Sequence, residues 1–550
     1  METHFARFLQ ACEYDAVDLG GARTQPMPSI AAYSHVGQAA LKALIEKHAD
    51  QRAITWKETT GEIQGEFLQT PPKENWGKEE PPPNHSDILP EKFYEIIAKA
   101  EKWVDISSLS PPAGKFEEAI RKGIADVAKS GKAVTFRIIF SHVPGSHINT
   151  AKVLADLTRD VPAGSQIKVW LAGYRKGFSW NHSKICAVDG KYLLEGGHNY
   201  YDVDYLQKDP VHDISMRVDG EVTMDAHRFC QNTWKWLIAT DSGRMCGCIP
   251  HFWQLAPEWM PCISFRRTDV SVFPKGSPFY PPSLPDNLPG TTEAKKSTPM
   301  IAMGRAGSIG ECPSDTAITA MLGSARKSIR MSLQDLGPLT LPKSIDFGDV
   351  SPMPGGVWPK DYLREIALGM TRGVEVQIVL SQPNGGPVGG YGYGWTSADV
   401  AAEILQSVKE NKPDMDQADI NKMANDKLKV TYIQEKVNMD AYPSGIKVGN
   451  HAKFFIIDDQ AFFISSQNLY ICNLAEWGIV VDDAFEARRV LDEYFKPMWR
   501  QCGPHAAAIH AIIKRLGINR TSKKKESIKL MAQHFAKTKN HLRAPLIAPG

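Results

Sequence analysis

The 550-residue sequence has few cysteines, almost no net charge and no long apolar run. Its nine cysteines include no Cys-x-x-Cys pair, and Cys246 and Cys248 have no histidine cluster at zinc-ligand spacing nearby, so we expect free thiols. Lys and Arg number 64 against 62 Asp and Glu, a formal charge of +2, which argues against a general nucleic-acid binder. No stretch approaches the roughly 18 consecutive apolar residues of a transmembrane helix.

The first residues do not resemble a secretory signal. In METHFARFLQACEYDAVDLGG, acidic and aromatic side chains interrupt every stretch that could form the apolar core of a leader. We therefore expect a protein that is cytoplasmic as synthesised, or exported without a Sec-type signal peptide, as a secreted effector would be. The 42% hydrophobic and 23% charged content is that of an ordinary globular protein.

The chain is internally duplicated. β-rich apolar runs occur in the same order in each half, and a His-x-Lys segment follows them both times. The matched segments begin at Lys102 and Ser328, at Gly131 and Arg372, at Ser165 and Asp426, and at Asn181 and Asn450. We predict an α/β fold of two similar halves, each a mixed β-sheet flanked by helices (an α-β-α-β-α sandwich). A pseudo-twofold would relate the halves and place one active site at their interface.

Composition divides the chain into five parts. We predict an N-terminal extension (1–40), a first half (41–272), a Pro- and Gly-rich linker (273–298), a second half (299–503) and a basic tail (504–550). The tail carries ten Lys or Arg against one acid, Glu526, and apolar residues at helical spacing. A helix docked on the body is the simpler interpretation, and attraction to an anionic membrane or to nucleic acid is the alternative.

The chemistry-bearing residues form one pattern that occurs twice with identical spacing. The first copy comprises His182, Lys184, Asp189, Gly196, Gly197 and Asn199, and the second comprises His451, Lys453, Asp458, Ser465, Ser466 and Asn468. A single His-x-Lys segment is weak evidence, because one histidine in an apolar segment is usually a packed residue. Two complete copies at matching places of a duplicated framework indicate a functional site.

This pattern suits a phosphodiester. On a strand, His and Lys two residues apart share a face. The two small residues that precede the motif asparagine let the backbone approach a ligand closely. Two such segments brought together place an imidazole on each side of phosphorus, with lysines and asparagines on the non-bridging oxygens. One neutral histidine attacks while its protonated twin donates a proton, which gives a phosphohistidine. The scheme requires no metal or other cofactor.

The doubled motif resembles the two HxKxxxxD segments of the phospholipase D superfamily. Further segments are similar to the secreted actinobacterial phospholipases D, in order from about residue 40 to 500. They include FSWNHSKICAVDG from Phe178, GGHNYYDVDYL from Gly196, PMIAMGRAGSIG from Pro299, SQPNGGPVGGYGYG from Ser381 and HAKFFIIDDQAFFISSQNLY from His451. This resemblance implies a role for each matching position.

By the resemblance, His182 is the nucleophile and His451 the general acid. Lys184, Asn199, Lys453 and Asn468 match positions that hold the phosphate. Asp213 matches the first of two carboxylates that stand behind the histidines, and Glu476 the second, where the actinobacterial enzymes carry Asp. Asp189 and Asp458 are expected to support the fold. Tyr201, Tyr205 and Tyr391 match a choline-facing wall, with Tyr201 where the family more often has Trp.

The resemblance implies a phospholipase D that cleaves the distal phosphodiester of glycerophospholipids such as phosphatidylcholine and also transfers the phosphatidyl group to alcohols. The expected partners are a phospholipid membrane surface, contacted peripherally, and small alcohol acceptors. We expect a monomer and no nucleic-acid partner. The main alternative is a nuclease or other phosphodiesterase with the same chemistry. A cardiolipin-synthase-like enzyme would normally bring membrane-spanning segments, and a catalytically silent lipid-binding module would not need both intact motifs.

Overall fold

The computed structural model describes residues 30–78, 88–143, 148–177, 179–242, 261–267, 280–290, 297–337, 360–387, 391–392, 394–470 and 473–506. Most of the predicted extension, the linker outside 280–290 and 297–298, and the tail from residue 507 onward lie outside the described residues.

The described helices are α1 (His35–His48), α2 (Ile88–Ile97), α3 (Lys115–Lys129), α4 (Thr150–Thr158), α5 (Asp202–Tyr205), α6 (Val222–Ser242), α7 (Pro313–Ser324), α8 (Asp361–Thr371), α9 (Ser397–Asn411), α10 (Gln417–Lys427), α11 (Ala484–Val490) and α12 (Lys496–Cys502). A π-helical turn, Leu491–Phe495, joins the last two. Short 3-10 turns occur at Ile30–Ala32, Ala49–Gln51, Lys73–Asn75, Gly307–Ile309 and Gly503–His505.

The described strands are β1 (Trp56–Ile63), β2 (Leu68–Thr70), β3 (Trp103–Ser107), β4 (Thr135–Ser141), β5 (Lys168–Lys176), β6 (Ser179–Trp180), β7 (Ile185–Val188), β8 (Tyr192–Gly196), β9 (Asp213–Asp219), β10 (Pro261–Arg267), β11 (Thr298–Ala306), β12 (Ser328–Leu333), β13 (Glu375–Leu380), β14 (Leu428–Tyr432), β15 (Lys453–Ile457), β16 (Ala461–Ser465) and β17 (Ala475–Val481). All eight segments predicted to be strands contain one.

The local sequence explains the helices. In α3, Phe116, Ile120, Ile124 and Val127 recur at helical spacing and are buried, while the charged residues face outward. Helix α9 begins with a capping box, in which the Thr396 side chain accepts from the Asp399 backbone N–H and the Asp399 carboxylate accepts in return.

Each half contains a mixed sheet with the same strand order. In the first half, β5, β4 and β3 are parallel, and β7, β8 and β9 follow antiparallel. In the second half, β14, β13 and β12 are parallel, and β15, β16 and β17 follow in the same way. This repetition is the mixed α/β architecture that the sequence predicted, with helices packed on the sheets.

Strand β1 joins the two sheets. It pairs antiparallel with β9 of the first half and with β11, which in turn pairs with β17 of the second half. Between the halves, apolar side chains from both sheets form one buried cluster, with members such as Ile185, Met216, Phe454 and Trp477. The halves therefore share a core, and this core holds the two motif segments against each other.

Helix α1 runs through the boundary that we placed between residues 40 and 41. Its residues Val36, Ala40, Leu41 and Leu44 are buried in the core of the second half. The start of the described chain thus packs on the half that is most distant from it in sequence. No helix among the described residues is both long and apolar enough to cross a membrane.

Candidate active site

The two motif histidines face each other at the boundary between the halves. The ring centroids of His182 and His451 lie 6.2 Å apart, and the ring planes are inclined by 70°. Each residue is only 4% exposed. The structure therefore brings both motifs into one buried site, at the interface where the sequence predicted it.

Backbone hydrogen bonds between the halves hold both histidines. The His182 N–H donates to the Ala475 carbonyl at 2.7 Å, and the His451 N–H donates to the His212 carbonyl, also at 2.7 Å. We expected each histidine on a period-2 strand, but both lie in the extended segment just before β7 or β15. Each histidine is thus positioned by backbone from the other half.

An asparagine before each histidine anchors these segments. The Asn181 amide donates to the Ser107 hydroxyl at 2.9 Å, and the Asn450 amide donates to the Ser332 hydroxyl at 3.1 Å. Each amide also reaches the carbonyl of the residue after that serine. Sequence reasoning missed this role, although Asn-His-x-Lys in both copies carries the signal.

The carboxylates behind the histidines are crossed between the halves. The Asp213 carboxylate lies 2.7 Å from Nδ1 of His451, and the Glu476 carboxylate lies 2.8 Å from Nδ1 of His182. The sequence predicted that these carboxylates stand behind the histidines but did not pair either one with a particular histidine. In the structure the pairing is crossed, because each carboxylate lies next to backbone that pairs with the motif of the opposite half.

Each carboxylate has further partners. The Tyr205 hydroxyl donates to Asp213 at 3.1 Å, and the Asn468 backbone N–H donates to Glu476 at 3.0 Å. Glu476 also accepts from Nη1 of Arg305 at 2.7 Å. Sequence reasoning missed Arg305, since nothing in its local pattern distinguishes it from a surface arginine.

The two motif lysines are buried beside their own histidines. Nζ of Lys184 donates to the His182 carbonyl at 2.9 Å, and Nζ of Lys453 donates to the His451 carbonyl. Burial lowers the pKa of Lys453 to about 7 and the pKa of Lys184 well below its usual range. Each lysine also opposes the charge on the other. An anionic ligand between them would favour both charged forms.

Burial also lowers the pKa of both histidines. The effect is reinforced for His182 by Lys184, and for His451 by Lys453. In the empty site both imidazoles are therefore biased toward the neutral form. An anionic phosphodiester would offset the positive field of the lysines and allow one imidazole to be protonated.

The motif asparagines present unpaired polar atoms. Asn199 and Asn468 are each 1% exposed, and Oδ1 of each has no hydrogen-bond partner among the described residues. A buried acceptor without a partner costs free energy, and only a group that donates a hydrogen could satisfy it, whereas a phosphate oxygen would be bound by the amide N–H groups. Their part in holding phosphate stays a prediction.

The small residues of the first motif are needed for close packing. A Cβ on Gly197 would lie 1.9 Å from the Asp213 carboxylate, and one on Gly196 would lie 2.4 Å from the Ser215 backbone. In the second copy, the Ser466 carbonyl lies 3.1 Å from Nδ1 of His182. Close approach of this backbone to a ligand stays a prediction.

The motif aspartates bind backbone away from the histidines. Asp189 accepts from the backbone N–H groups of residues 101–103, at 2.6 to 2.9 Å. Asp458 accepts from those of residues 326–328, at 2.6 to 2.8 Å, and lies 2.8 Å from Nε2 of His35. These contacts tie the turn after each motif to the start of β3 or β12, in line with the expected structural role.

All three predicted headgroup tyrosines lie on the His451 side. The Tyr391 ring lies 5.2 Å from the His451 ring and the Tyr205 ring 6.4 Å from it, and Tyr201 lies 6.4 Å from Tyr205. Tyr201 is part-exposed and borders a cavity of about 530 Å³.

A buried carboxylate that we did not predict lies among these tyrosines. Asp204 is 3% exposed, and its Oδ2 accepts from the Tyr391 hydroxyl at 2.5 Å. Its Oδ1 has no hydrogen-bond partner among the described residues. Burial raises the pKa of Asp204 to about 6, although the Tyr391 hydrogen bond opposes this.

The carboxylates determine which ring nitrogens are available for chemistry. Nδ1 of each histidine faces a carboxylate, so the nitrogens that could face a reacting group are Nε2 of His451 and Nε2 of His182, the latter 3.3 Å from Nζ of Lys184. A carboxylate at Nδ1 fixes the tautomer of a neutral imidazole and stabilises an imidazolium. The site can therefore supply one nucleophilic nitrogen and one acidic N–H. With two lysines beside it, this is a paired-histidine phosphodiester site.

Comparisons with known proteins agree with this class. Residues 318–499 match the family described as "Cardiolipin synthase, PLD-like domain". A phospholipase D from Streptomyces antibioticus is 28% identical over 464 residues, which cover 76% of this chain and 78% of that protein.

Two solved structures also match. A phosphatidylserine synthase from Haemophilus influenzae is 11% identical, with 88% of this chain and 96% of that chain covered and a TM-score of 0.47. A phospholipase D family member from Salmonella typhimurium is 16% identical, with 34% and 86% covered and a TM-score of 0.19.

Residues 318–499 are similar to a PLD-like domain, and the chain is a distant homologue of the Streptomyces phospholipase D. These likenesses support a phosphodiesterase of the phospholipase D type.

Proposed function

We propose that this protein is a phospholipase D, which hydrolyses the distal phosphodiester of glycerophospholipids and also transfers the phosphatidyl group to alcohols. The observation that carries the proposal is the facing pair His182 and His451, each backed by a carboxylate of the opposite half. The Streptomyces relative supports a phospholipid substrate over other phosphodiesters.

In the first step, Nε2 of His182 attacks phosphorus and forms a P–N bond. The P–O bond to the headgroup breaks, and the leaving oxygen takes the proton from Nε2 of His451. Lys184 and Lys453 stabilise the charge on the non-bridging oxygens, and this stabilisation is strong because both lysines are buried.

In the second step, neutral His451 removes a proton from water or an alcohol. The resulting oxygen attacks phosphorus, and the P–N bond to His182 breaks. Two in-line displacements retain the configuration at phosphorus. A chiral phosphorothioate substrate tests this point, and inversion would contradict a covalent intermediate.

The headgroup class that we propose is cationic. The leaving group departs on the His451 side, where Tyr205 and Tyr391 surround this histidine and Asp204 lies buried behind Tyr391. Aromatic faces with a carboxylate close by favour a quaternary ammonium, by about 1–2 kcal/mol for the aromatic part. Phosphatidylcholine is therefore the proposed substrate.

Phosphatidyl transfer to a lipid alcohol is the second candidate. It is favoured by the match of residues 318–499 to a family described by a cardiolipin synthase. Both reactions would pass through the same intermediate, so only the acceptor differs. Incubation with phosphatidylglycerol, followed by mass spectrometry of the lipids, separates cardiolipin formation from hydrolysis.

For partners and location, we propose a monomer that acts at a phospholipid surface and takes small alcohols as acceptors. We further propose that it works in the cytoplasm or is exported as an effector.

The decisive experiment measures choline release from phosphatidylcholine vesicles, with and without ethanol, in the presence of chelator. The wild type is compared with His182→Ala and His451→Ala, and Asp459→Asn serves as a surface control. We expect release with formation of phosphatidylethanol, lost in both histidine variants. No release from several headgroups, together with nucleic-acid cleavage that depends on His182, would replace the proposal with a nuclease.

A further inference from the structure

The two carboxylates behind the histidines are stabilised in different ways. Asp213 accepts from the Tyr205 hydroxyl and from the Ile214 backbone N–H at 2.8 Å, both neutral donors. Glu476 instead forms an ion pair with Arg305 at 2.7 Å. This difference is one departure from the pseudo-twofold of the site.

Arg305 is placed for this contact by the sheet. It lies on β11 directly opposite Glu476 of β17 in the antiparallel register, and both side chains are fully buried. Beyond Glu476, its Nη1 donates to the Asn468 carbonyl at 3.2 Å, and its Nε lies 3.1 Å from the Asp315 carboxylate. The guanidinium is thus held between two carboxylates in one orientation.

A carboxylate at this depth needs hydrogen-bond donors, as Asp213 has, or a positive partner, as Glu476 has, to stay charged. Without either, a buried Glu takes up a proton rather than paying the cost of desolvation. Burial raises the pKa of Glu476 to about 7, and Arg305 is the main influence that lowers it. The other charged or titratable groups that face Glu476 are His182, Lys184 and Lys453.

We propose that Arg305 is a positioning residue that keeps Glu476 ionised behind His182. An ionised Glu476 accepts the proton on Nδ1 of His182, so this imidazole presents an unprotonated Nε2 to phosphorus. A protonated Glu476 would leave the neutral Ser466 carbonyl, at 3.1 Å, as the acceptor for that proton and would no longer stabilise an imidazolium at His182. The inference rests on the proposed role of His182 as the nucleophile.

The test compares two substitutions with opposite expected signs. Arg305→Met removes the cation, so Glu476 takes up a proton at higher pH, and the acidic limb of the kcat/KM profile moves up by about one pH unit or more. Asp315→Asn removes the competing carboxylate from Arg305, so the same limb moves down. Asp315 is part-exposed, which makes this variant the safer one to fold.

Two controls separate electrostatics from structure. Arg305→Lys keeps a cation and restores most of the wild-type profile. In the Glu476→Gln background, where there is no carboxyl to titrate, Arg305→Met leaves the acidic limb unmoved. The inference is overturned if the acidic limb of the kcat/KM profile moves in the same direction for Arg305→Met and Asp315→Asn. It is also overturned if the limb does not move in either variant.

The substrate for these profiles is bis(p-nitrophenyl) phosphate, a simple phosphodiester, with product read after an alkaline quench. If the wild type cleaves this diester but releases no choline from phosphatidylcholine, the proposed function is contradicted and the inference about Arg305 is not. Opposite shifts of the acidic limb would then still support the role of Arg305, and absent shifts would refute it. If Arg305→Met does not fold, the sign of the Asp315→Asn shift decides.

Discussion

The carboxylate of Asp213, in the first half of the chain, contacts Nδ1 of His451, in the second half, at 2.7 Å. Glu476 and His182 make the reciprocal contact. Because each carboxylate serves the histidine of the other half, neither half holds a complete acid or a complete nucleophile.

This crossing predicts different defects for two matched substitutions. Asp213→Asn weakens the general acid, and Glu476→Gln weakens the nucleophile. On phosphatidylcholine we expect both to lose about 100-fold or more in kcat. A p-nitrophenyl phosphatidyl ester has a leaving group that needs little protonation, so Asp213→Asn should release a near-normal first-turnover burst of p-nitrophenol, whereas Glu476→Gln should not.

Rapid-quench measurement of that burst checks the prediction. The uncrossed arrangement would give the opposite result, with the burst retained in Glu476→Gln and lost in Asp213→Asn.

Asp204 is expected to determine headgroup preference. Asp204→Asn keeps the size of the side chain but removes its charge, so a cationic headgroup loses its buried counter-charge. We expect kcat/KM for phosphatidylcholine to fall about tenfold, as a loss of about 1.4 kcal/mol would give, while phosphatidylglycerol turnover changes little.

Competition between phosphatidylcholine and phosphatidylglycerol in mixed vesicles measures the ratio of their kcat/KM values directly. An equal fall in kcat/KM for both lipids would show that Asp204 only supports the tyrosines. The matched control is Tyr391→Phe, which removes the hydroxyl that donates to Asp204.

Asp458 is expected to stabilise the fold without contributing directly to chemistry. Burial alone would raise its pKa, but the backbone N–H groups of residues 326–328 overcome this and lower it. Asp458→Asn should reduce the free energy of unfolding by about 1–3 kcal/mol, because the charge-assisted hydrogen bonds are weakened. The control substitution is Asp459→Asn, at the neighbouring residue. Asp458 and Asp459 have positive φ angles of 55° and 56°, which Asn tolerates, so neither substitution adds backbone strain.

Urea unfolding of Asp458→Asn against Asp459→Asn checks this expectation. Activity per folded molecule should remain close to that of the wild type, and a large loss of turnover without destabilisation would instead place Asp458 in the chemistry.

Glu435 should make stability depend on pH. It is fully buried, and burial raises its pKa from 4.5 to about 8 although the Tyr442 hydroxyl donates to it at 3.2 Å. Between these two values the folded state holds a proton that the unfolded state has lost. Its contribution to stability is therefore present below about pH 4.5 and is lost as pH rises toward 8, with a slope of up to about 1.4 kcal/mol per pH unit.

Glu435→Gln removes this titration. The free energy of unfolding of the variant, measured from pH 5 to 8, should rise relative to the wild type with increasing pH. Parallel curves for the two proteins would mean that Glu435 titrates normally.

Much of the fold could be predicted because duplication and apolar periodicity are local properties. The eight strands were recognisable from runs such as those around Phe136 and Val376, which are buried on both faces of a sheet. The placement of α1 could not be predicted, since its apolar face would suit the core of either half. Only the packed structure shows that it joins the second.

Some residues of the candidate site could likewise be predicted from the sequence, and others could not. Repeated spacing was enough to find His182 and His451, because two copies of a motif in a duplicated frame must meet near the twofold. The partners of each motif were not predictable, since Asp213 approaches His451 from 238 residues away. Arg305 and Asp204 lie in the family-like segments PMIAMGRAGSIG and GGHNYYDVDYL, but nothing in those segments distinguishes them from their neighbours, and their roles depend on what surrounds them.

The sequence by itself determined the duplication, the strands and the set of groups that chemistry at phosphorus requires. The tertiary structure alone decided which carboxylate serves which histidine, how closely Gly196 and Gly197 pack, and that, among the described residues, Glu476 pairs with an arginine and Asp213 does not. The physical reason is that spacing along a chain is a local property, whereas burial, charge compensation and close packing depend on which distant segments the shared core brings together.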